Sequence, residues 1–170
     1  MTPKPQPKII VISSPNHKDG EARLIQDLLE TGLWSFHLRK PSWSSDELRA
    51  LLDLVPKAHM ARIVIHRRPE LLAEYPLAGY HLTSKEDYPA EQLPGTLSRS
   101  FHDLVALENT TETLDYVFIG PVFNSVSKQG YTAAFHPNEL RRFFRKVRES
   151  EKPAPMAFAL GGIVPDRVRV

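Results

Sequence analysis

The residues able to do chemistry in this chain fall at regular intervals, each at the end of a short apolar run. His37 and Arg39 end one run, His66 and Arg67 the next, and His81 a third. Ser98 and Ser100 follow, then a loop from Ser125 to Lys128, then Gly161 and Gly162. The most informative stretch is Asp115 to Gly130, DYVFIGPVFNSVSKQG. It reads as a buried strand, a Gly-Pro break, and a hydroxyl-rich loop carrying one lysine. Hydroxyls, a cation and nearby glycines that let backbone approach closely are the parts of a phosphate-binding mouth.

The elements that position these residues are short. Lys8–Ser13, Trp34–Arg39, Arg62–His66, Ala78–Leu82, Thr96–Ser100, Asp115–Gly120 and Met156–Leu160 read as strands. The first is β-branched without alternation, which suits burial on both faces. Between them, Gly20–Gly32 places Leu24, Ile25, Leu28 and Leu29 on one helical face. Ser44-x-x-Glu47 is a capping box that opens a helix with Leu48, Leu51, Leu52 and Val55, stopped by Pro56. Pro69 begins a short helix, Asp103–Asn109 is another, and Pro137–Glu149 is long and amphipathic.

Strands alternating with helices imply parallel pairing. An open doubly wound sheet would place a Gly-rich turn after its first strand, where this chain has Ser-Ser-Pro-Asn-His. Polar residues at the ends of many strands fit a (β/α)8 TIM barrel better. On that reading the eighth strand and its helix are missing, so the barrel is truncated after strand 7. Residues 1–7 form a flexible tail, and 8–170 form a single barrel domain lacking its final βα unit.

The 170 residues carry a net charge of +2, too little to argue for nucleic acid or a membrane. Arg141, Arg142, Arg145, Lys146 and Arg148 share their span with Leu140, Phe143, Phe144 and Val147, the wet face of a helix. There is no cysteine, hence no disulfide, thiolate metal site or cysteine nucleophile. Apolar runs fall short of a membrane span and the start lacks a signal-peptide core, so a cytoplasmic enzyme is the expectation. His66 and His81 suggest a metal pair, but no third ligand is evident, so no metal site is assigned. His37 and His81 also read as core histidines.

The order HLRK (37–40), GYHL (79–82), SRSFH (98–102), DYVFIGPVFNSVSK (115–128) and MAFALGGI (156–163) resembles the thiamine phosphate synthase/TenI family. The resemblance spans nearly the whole chain from Lys8, and the sixth-strand motif is its most specific part. It implies a (β/α)8 barrel and a small phosphorylated substrate: a thiazole phosphate and, for a synthase, a pyrimidine diphosphate. A homodimer is compatible with it.

Residue by residue, the resemblance implies that Arg39 holds a diphosphate. The family's lysine two positions later is Pro41 here; Lys40 is adjacent, but neighbouring strand residues point to opposite faces. Ser125, Ser127 and Lys128 match a phosphate-binding Thr-x-Thr-Lys loop, and Gly162, beside Gly161, matches a glycine whose N–H meets the thiazole phosphate.

Where synthases carry Asn-Asp for Mg²⁺, this chain has His66-Arg67. A second carboxylate would be Glu86 or Asp87. TenI proteins are thiazole tautomerases that need no Mg²⁺. Their Gly-Arg-Ser-x-His segment is similar to Ser98–His102, with His102 at the general acid/base position. Imidazole both accepts and gives a proton near neutrality. The plainer reading of His102 is a surface or capping histidine. Three readings stand: a tautomerase working through His102 without a cofactor, a divergent synthase using Mg²⁺, and a non-catalytic or regulatory phosphate-ligand binder.

Overall fold

Runs of β-branched and aromatic residues separated by capped amphipathic segments fold as an α/β chain of alternating strands and helices. The computed structural model describes residues 7–124, 132–150 and 155–167. By their contacts the described residues group into two compact units, 7–83 with 87–97, and 84–86 with the described residues from 98 to 167.

In the first unit, β1 (Ile10–Ile12), β2 (Ser35–Leu38), β3 (Ile63–His66) and β4 (Gly79–Leu82) pair in chain order, all parallel. Helices α1 (Glu21–Glu30), α2 (Ser45–Leu52) and α3 (Lys57–Met60) provide the crossovers. The capping box forms: the Ser44 hydroxyl accepts from the Glu47 N–H, and the Glu47 carboxylate accepts from the Ser44 N–H at 2.7 Å. That helix ends at Leu52, short of the expected stop at Pro56, which instead opens the four-residue α3. The segment opened by Pro69 is a 3₁₀ turn, Pro69–Ala73, rather than an α-helix. Five residues following a left-handed Arg68 cannot close several α-turns.

Successive strand residues face opposite sides. Phe36, Leu38, Ile63, Ile65, Tyr80 and Leu82 form one core with Ile25 and Leu29 of α1 and Leu48, Leu51 and Leu52 of α2. The intervening residues Ser35, His37, Val64, His66, Gly79 and His81 lie on the other face, in cross-strand register.

In the second unit, β5 (Thr96–Phe101) pairs β6 (Tyr116–Ile119) from Ser98 onward, and β6 pairs β7 (Met156–Ala159), again parallel. Asp103 caps α4 (Leu104–Asn109) by accepting from the Ala106 N–H at 2.6 Å. His136 caps α5 (Pro137–Glu149), its Nδ1 accepting from the Asn138 N–H. Phe101, Val117 and Ile119 pack with Leu107 and Phe135 as the core. The opposite face carries Tyr116, Phe118 and Phe158, whose rings meet edge-on with centroids 5.6–6.1 Å apart.

Candidate functional site

In the second unit the strand ends meet through their loops. Gly120, just past β6, donates its N–H to the Phe101 carbonyl. Val122 and Phe123 donate to the carbonyls of Leu160 and Gly161, tying the loop after β6 to the loop after β7. His102 follows β5 directly and is exposed. Its Nδ1 lies 2.7 Å from the Gly120 carbonyl oxygen. A carbonyl only accepts, so Nδ1 carries the proton and donates it. The neutral ring then keeps its lone pair on Nε2.

Gly161 and Gly162 have φ of +91° and +63°, the left-handed region that glycine adopts without steric cost. A Cβ on Gly162 would stand 2.4 Å from the Asn124 carbonyl oxygen, so only glycine lets the two loops approach this closely. Arg167, which sequence reasoning passed over, donates from Nη1 to the Gly162 carbonyl at 2.6 Å, and its guanidinium lies 4.6 Å over the Phe123 ring. It belongs to a three-residue 3₁₀ turn, Pro165–Arg167.

Ser100 is half-buried in β5, two residues before His102, and Ser98 is fully buried. Arg99, between them, faces the other way and donates from Nε to Glu112 at 2.7 Å. Strand parity thus sends the arginine of the Ser-Arg-Ser-Phe-His segment to the helix side. Ser125, Ser127 and Lys128 lie outside the described residues. A cavity of about 390 Å³ lined by Leu107, Val117, Phe143 and Phe144 lies on the helix side of β6, not at the strand ends that carry His102.

The first unit holds the other expected residues. Arg39 is half-buried just past β2, its backbone fixed reciprocally by Ser13: the Arg39 N–H donates to the Ser13 hydroxyl at 2.8 Å, and that hydroxyl donates to the Arg39 carbonyl. Its guanidinium makes no ion pair among the described residues. Lys40 is placed quite differently. Its ammonium is sealed from solvent, donating to Glu21 at 2.6 Å and to the Asn16 carbonyl at 2.7 Å, and lies 4.8 Å over the Trp43 ring. That charge is already balanced inside the unit, so a phosphate contact by Lys40 has no geometry here. Arg67 and Arg68 both have left-handed φ, +55° and +68°, a conformation costing about 1–3 kcal/mol at each non-glycine residue.

His37, His66 and His81 come together on the polar face of β2, β3 and β4, and all three are buried. His37 Nδ1 and His66 Nε2 are 2.9 Å apart, and the His66 and His81 ring centroids 4.3 Å. Burial and the neighbouring His81 push the pKa of His37 well below the ordinary imidazole value. Burial, then His81, His37 and Arg39, do the same to His66. Both rings are therefore neutral near pH 7. The sequence pointed to His66 and His81 as a pair; His37 is the third imidazole that the pair lacked.

Mg²⁺, the metal that the family resemblance attaches to synthase chemistry, does not fit the residues ending β3. His66 offers a buried imidazole and Arg67 a fixed cation, whereas Mg²⁺ demands an octahedron of oxygens.

Parallel strands alternating with helices, with polar residues gathered at the carboxyl ends, define an α/β protein of the (β/α)8-barrel class, seven strands being described. The chain belongs to the thiamine monophosphate synthase (TMP-TENI) family, whose model matches residues 9–170. It is similar to the solved structure of thiamine phosphate pyrophosphorylase from Bacteroides thetaiotaomicron, with 31% identity and a TM-score of 0.76. That match covers 94% of this chain and 74% of the other. Thiamine phosphate pyrophosphorylase from Pyrococcus furiosus shares the fold at 21% identity and a TM-score of 0.66, over 94% of this chain and 77% of the other. No curated protein matches the chain. Among the described residues no helix is long and apolar enough to cross a membrane.

Proposed function

We propose that this family member is a thiazole tautomerase-like enzyme in which His102 moves a proton on a thiazole carboxylate phosphate. The observation that carries the reading is the 2.7 Å hydrogen bond between His102 Nδ1 and the Gly120 carbonyl. It fixes the tautomer whose free Nε2 acts as a base, and the resulting imidazolium keeps its Nδ1–H partner while it returns the proton elsewhere on the ring. No atom is gained or lost and no net oxidation occurs, so the step as proposed balances without a redox co-reactant. The glycine-built loop at Gly161 and Gly162, with the Arg167 guanidinium beside it, supports a phosphate grip at the same strand ends. Ser100, Ser125, Ser127 and Lys128 complete that grip in this proposal, and the site of action is cytoplasmic.

A second reading is favoured by the names of the two similar structures, both thiamine phosphate pyrophosphorylases. In it the chain joins a thiazole phosphate to a hydroxymethylpyrimidine diphosphate, releasing pyrophosphate, with Arg39 on the diphosphate.

The deciding experiment follows tautomerisation of the thiazole carboxylate phosphate and, separately, thiamine phosphate formation with and without Mg²⁺. Tautomerisation that falls by about 10²–10⁴ in His102→Gln, the usual worth of a general acid–base group, supports the first reading. Mg²⁺-dependent thiamine phosphate formation without tautomerisation replaces it with the second. Turnover in neither assay, with phosphate-ligand binding retained, leaves a non-catalytic binder.

A further inference from the structure

His37, His66 and His81 belong to the first unit, and the proton transfer proposed for His102 calls on none of them. Each offers one ring nitrogen, and the three nitrogens all lie within 4.8 Å of one another. The ladder register produces this: His66 and His81 are direct Cα partners across β3 and β4, while His37 partners Val64, two residues before His66 on the same face. Three strands therefore aim three imidazoles at one point, on backbone that the sheet holds rigid.

We propose that His37, His66 and His81 form a three-imidazole site for a divalent transition metal of the zinc or cobalt type, held in the first unit of the fold.

The donor set selects the metal. Nitrogen ligands suit Zn²⁺, Co²⁺, Ni²⁺ and Cu²⁺ and exclude Mg²⁺ and Ca²⁺. Around tetrahedral zinc with Zn–N near 2.05 Å, ligand nitrogens stand roughly 3.3 Å apart. The 2.9 Å separation of His37 and His66 already approaches this, and all three ligand nitrogens lie within 4.8 Å of one another. Exchanging the His37–His66 hydrogen bond for a metal asks one ring to carry its proton on its other nitrogen, so no proton must leave the site. Three protein ligands leave a fourth position for water or an anion, the arrangement of open rather than closed zinc sites.

The test uses the whole purified protein stripped with chelator and titrated with Co²⁺, then with Zn²⁺ in competition. One Co²⁺ per chain, with visible absorption of a four- or five-coordinate nitrogen site that Zn²⁺ bleaches and millimolar Mg²⁺ does not, is the expected result. His66→Gln and His81→Gln should each weaken Co²⁺ by more than about tenfold, since loss of even an outer partner of a metal ligand costs that much. X-ray absorption on the zinc-loaded wild type reads the ligands without any variant, and should show three imidazole nitrogens near 2.0–2.1 Å. Absorption data showing fewer than two imidazoles overturn the site, as does Co²⁺ binding unchanged in both folded variants, or no binding by the wild type.

Discussion

Lys40 Nζ lies 2.6 Å from Glu21 Oε2, with both side chains all but closed to solvent. The pair joins the turn after β2 to the first residue of α1, and Asn16 supplies a further acceptor. Breaking one partner of a buried pair leaves the other charge uncompensated, at about 3–5 kcal/mol. Lys40→Met should lose stability of that order in urea unfolding. The double variant Lys40→Met with Glu21→Leu should recover most of it. A near-neutral Lys40→Met would mean that water reaches the pair.

The histidine cluster makes the metal-free protein sensitive to acid. His37 and His66 have folded-state pKa values below the ordinary one, so the unfolded chain binds protons more readily than the fold does. Stability is fully present above the unfolded value, about 6.5, and is lost as pH falls below it toward the lowered folded values. Each ring contributes up to about 1.4 kcal/mol per pH unit in that interval. Urea midpoints measured between pH 7.5 and 5 should therefore fall steeply, and His37→Phe should flatten the curve. A flat wild-type profile would contradict the burial of these rings.

Gly162→Ala sets a methyl group against the Asn124 carbonyl in a left-handed backbone. The expected loss is more than about 1 kcal/mol, larger than a compatible Gly→Ala change would gain. Thermal melting reads the stability. Weaker binding of a thiazole phosphate by the same variant, by calorimetry, reads the loop's part in holding phosphate.

Ser44→Ala removes the hydroxyl that accepts from the Glu47 N–H. A lost cap of this kind costs about 1 kcal/mol. The capping box lies at the exposed start of α2, so activity should not change while the melting temperature falls.

The sheet-and-helix plan was legible because each strand is a short β-branched or aromatic run and because α2 and α5 carry their own start signals. Ser44 with Glu47, and Pro137 at the head of α5, are examples. The resemblance rested on the same strands and their ends. What escaped the sequence depends on register and parity across distant segments. That His37 lies diagonal to His66 follows from the β2–β3 ladder. Glu21 meets Lys40 because a loop returns there. Arg99 was legible in principle: it sits between Ser98 and Ser100, so alternation alone sends it to the opposite side.

The two faces of β2, β3 and β4 separate two kinds of selection. Phe36, Leu38, Ile63, Ile65, Tyr80 and Leu82 answer to volume, whereas His37, His66 and His81 answer to chemistry. A lineage can thus exchange its reactive groups by single codon changes without renegotiating its core. A library randomised at 37, 66 and 81 should keep more soluble members than one randomised at 36, 65 and 80, counted by soluble expression. Alternation along a strand becomes a source of evolvability: adjacent letters of the chain are free to drift under separate constraints.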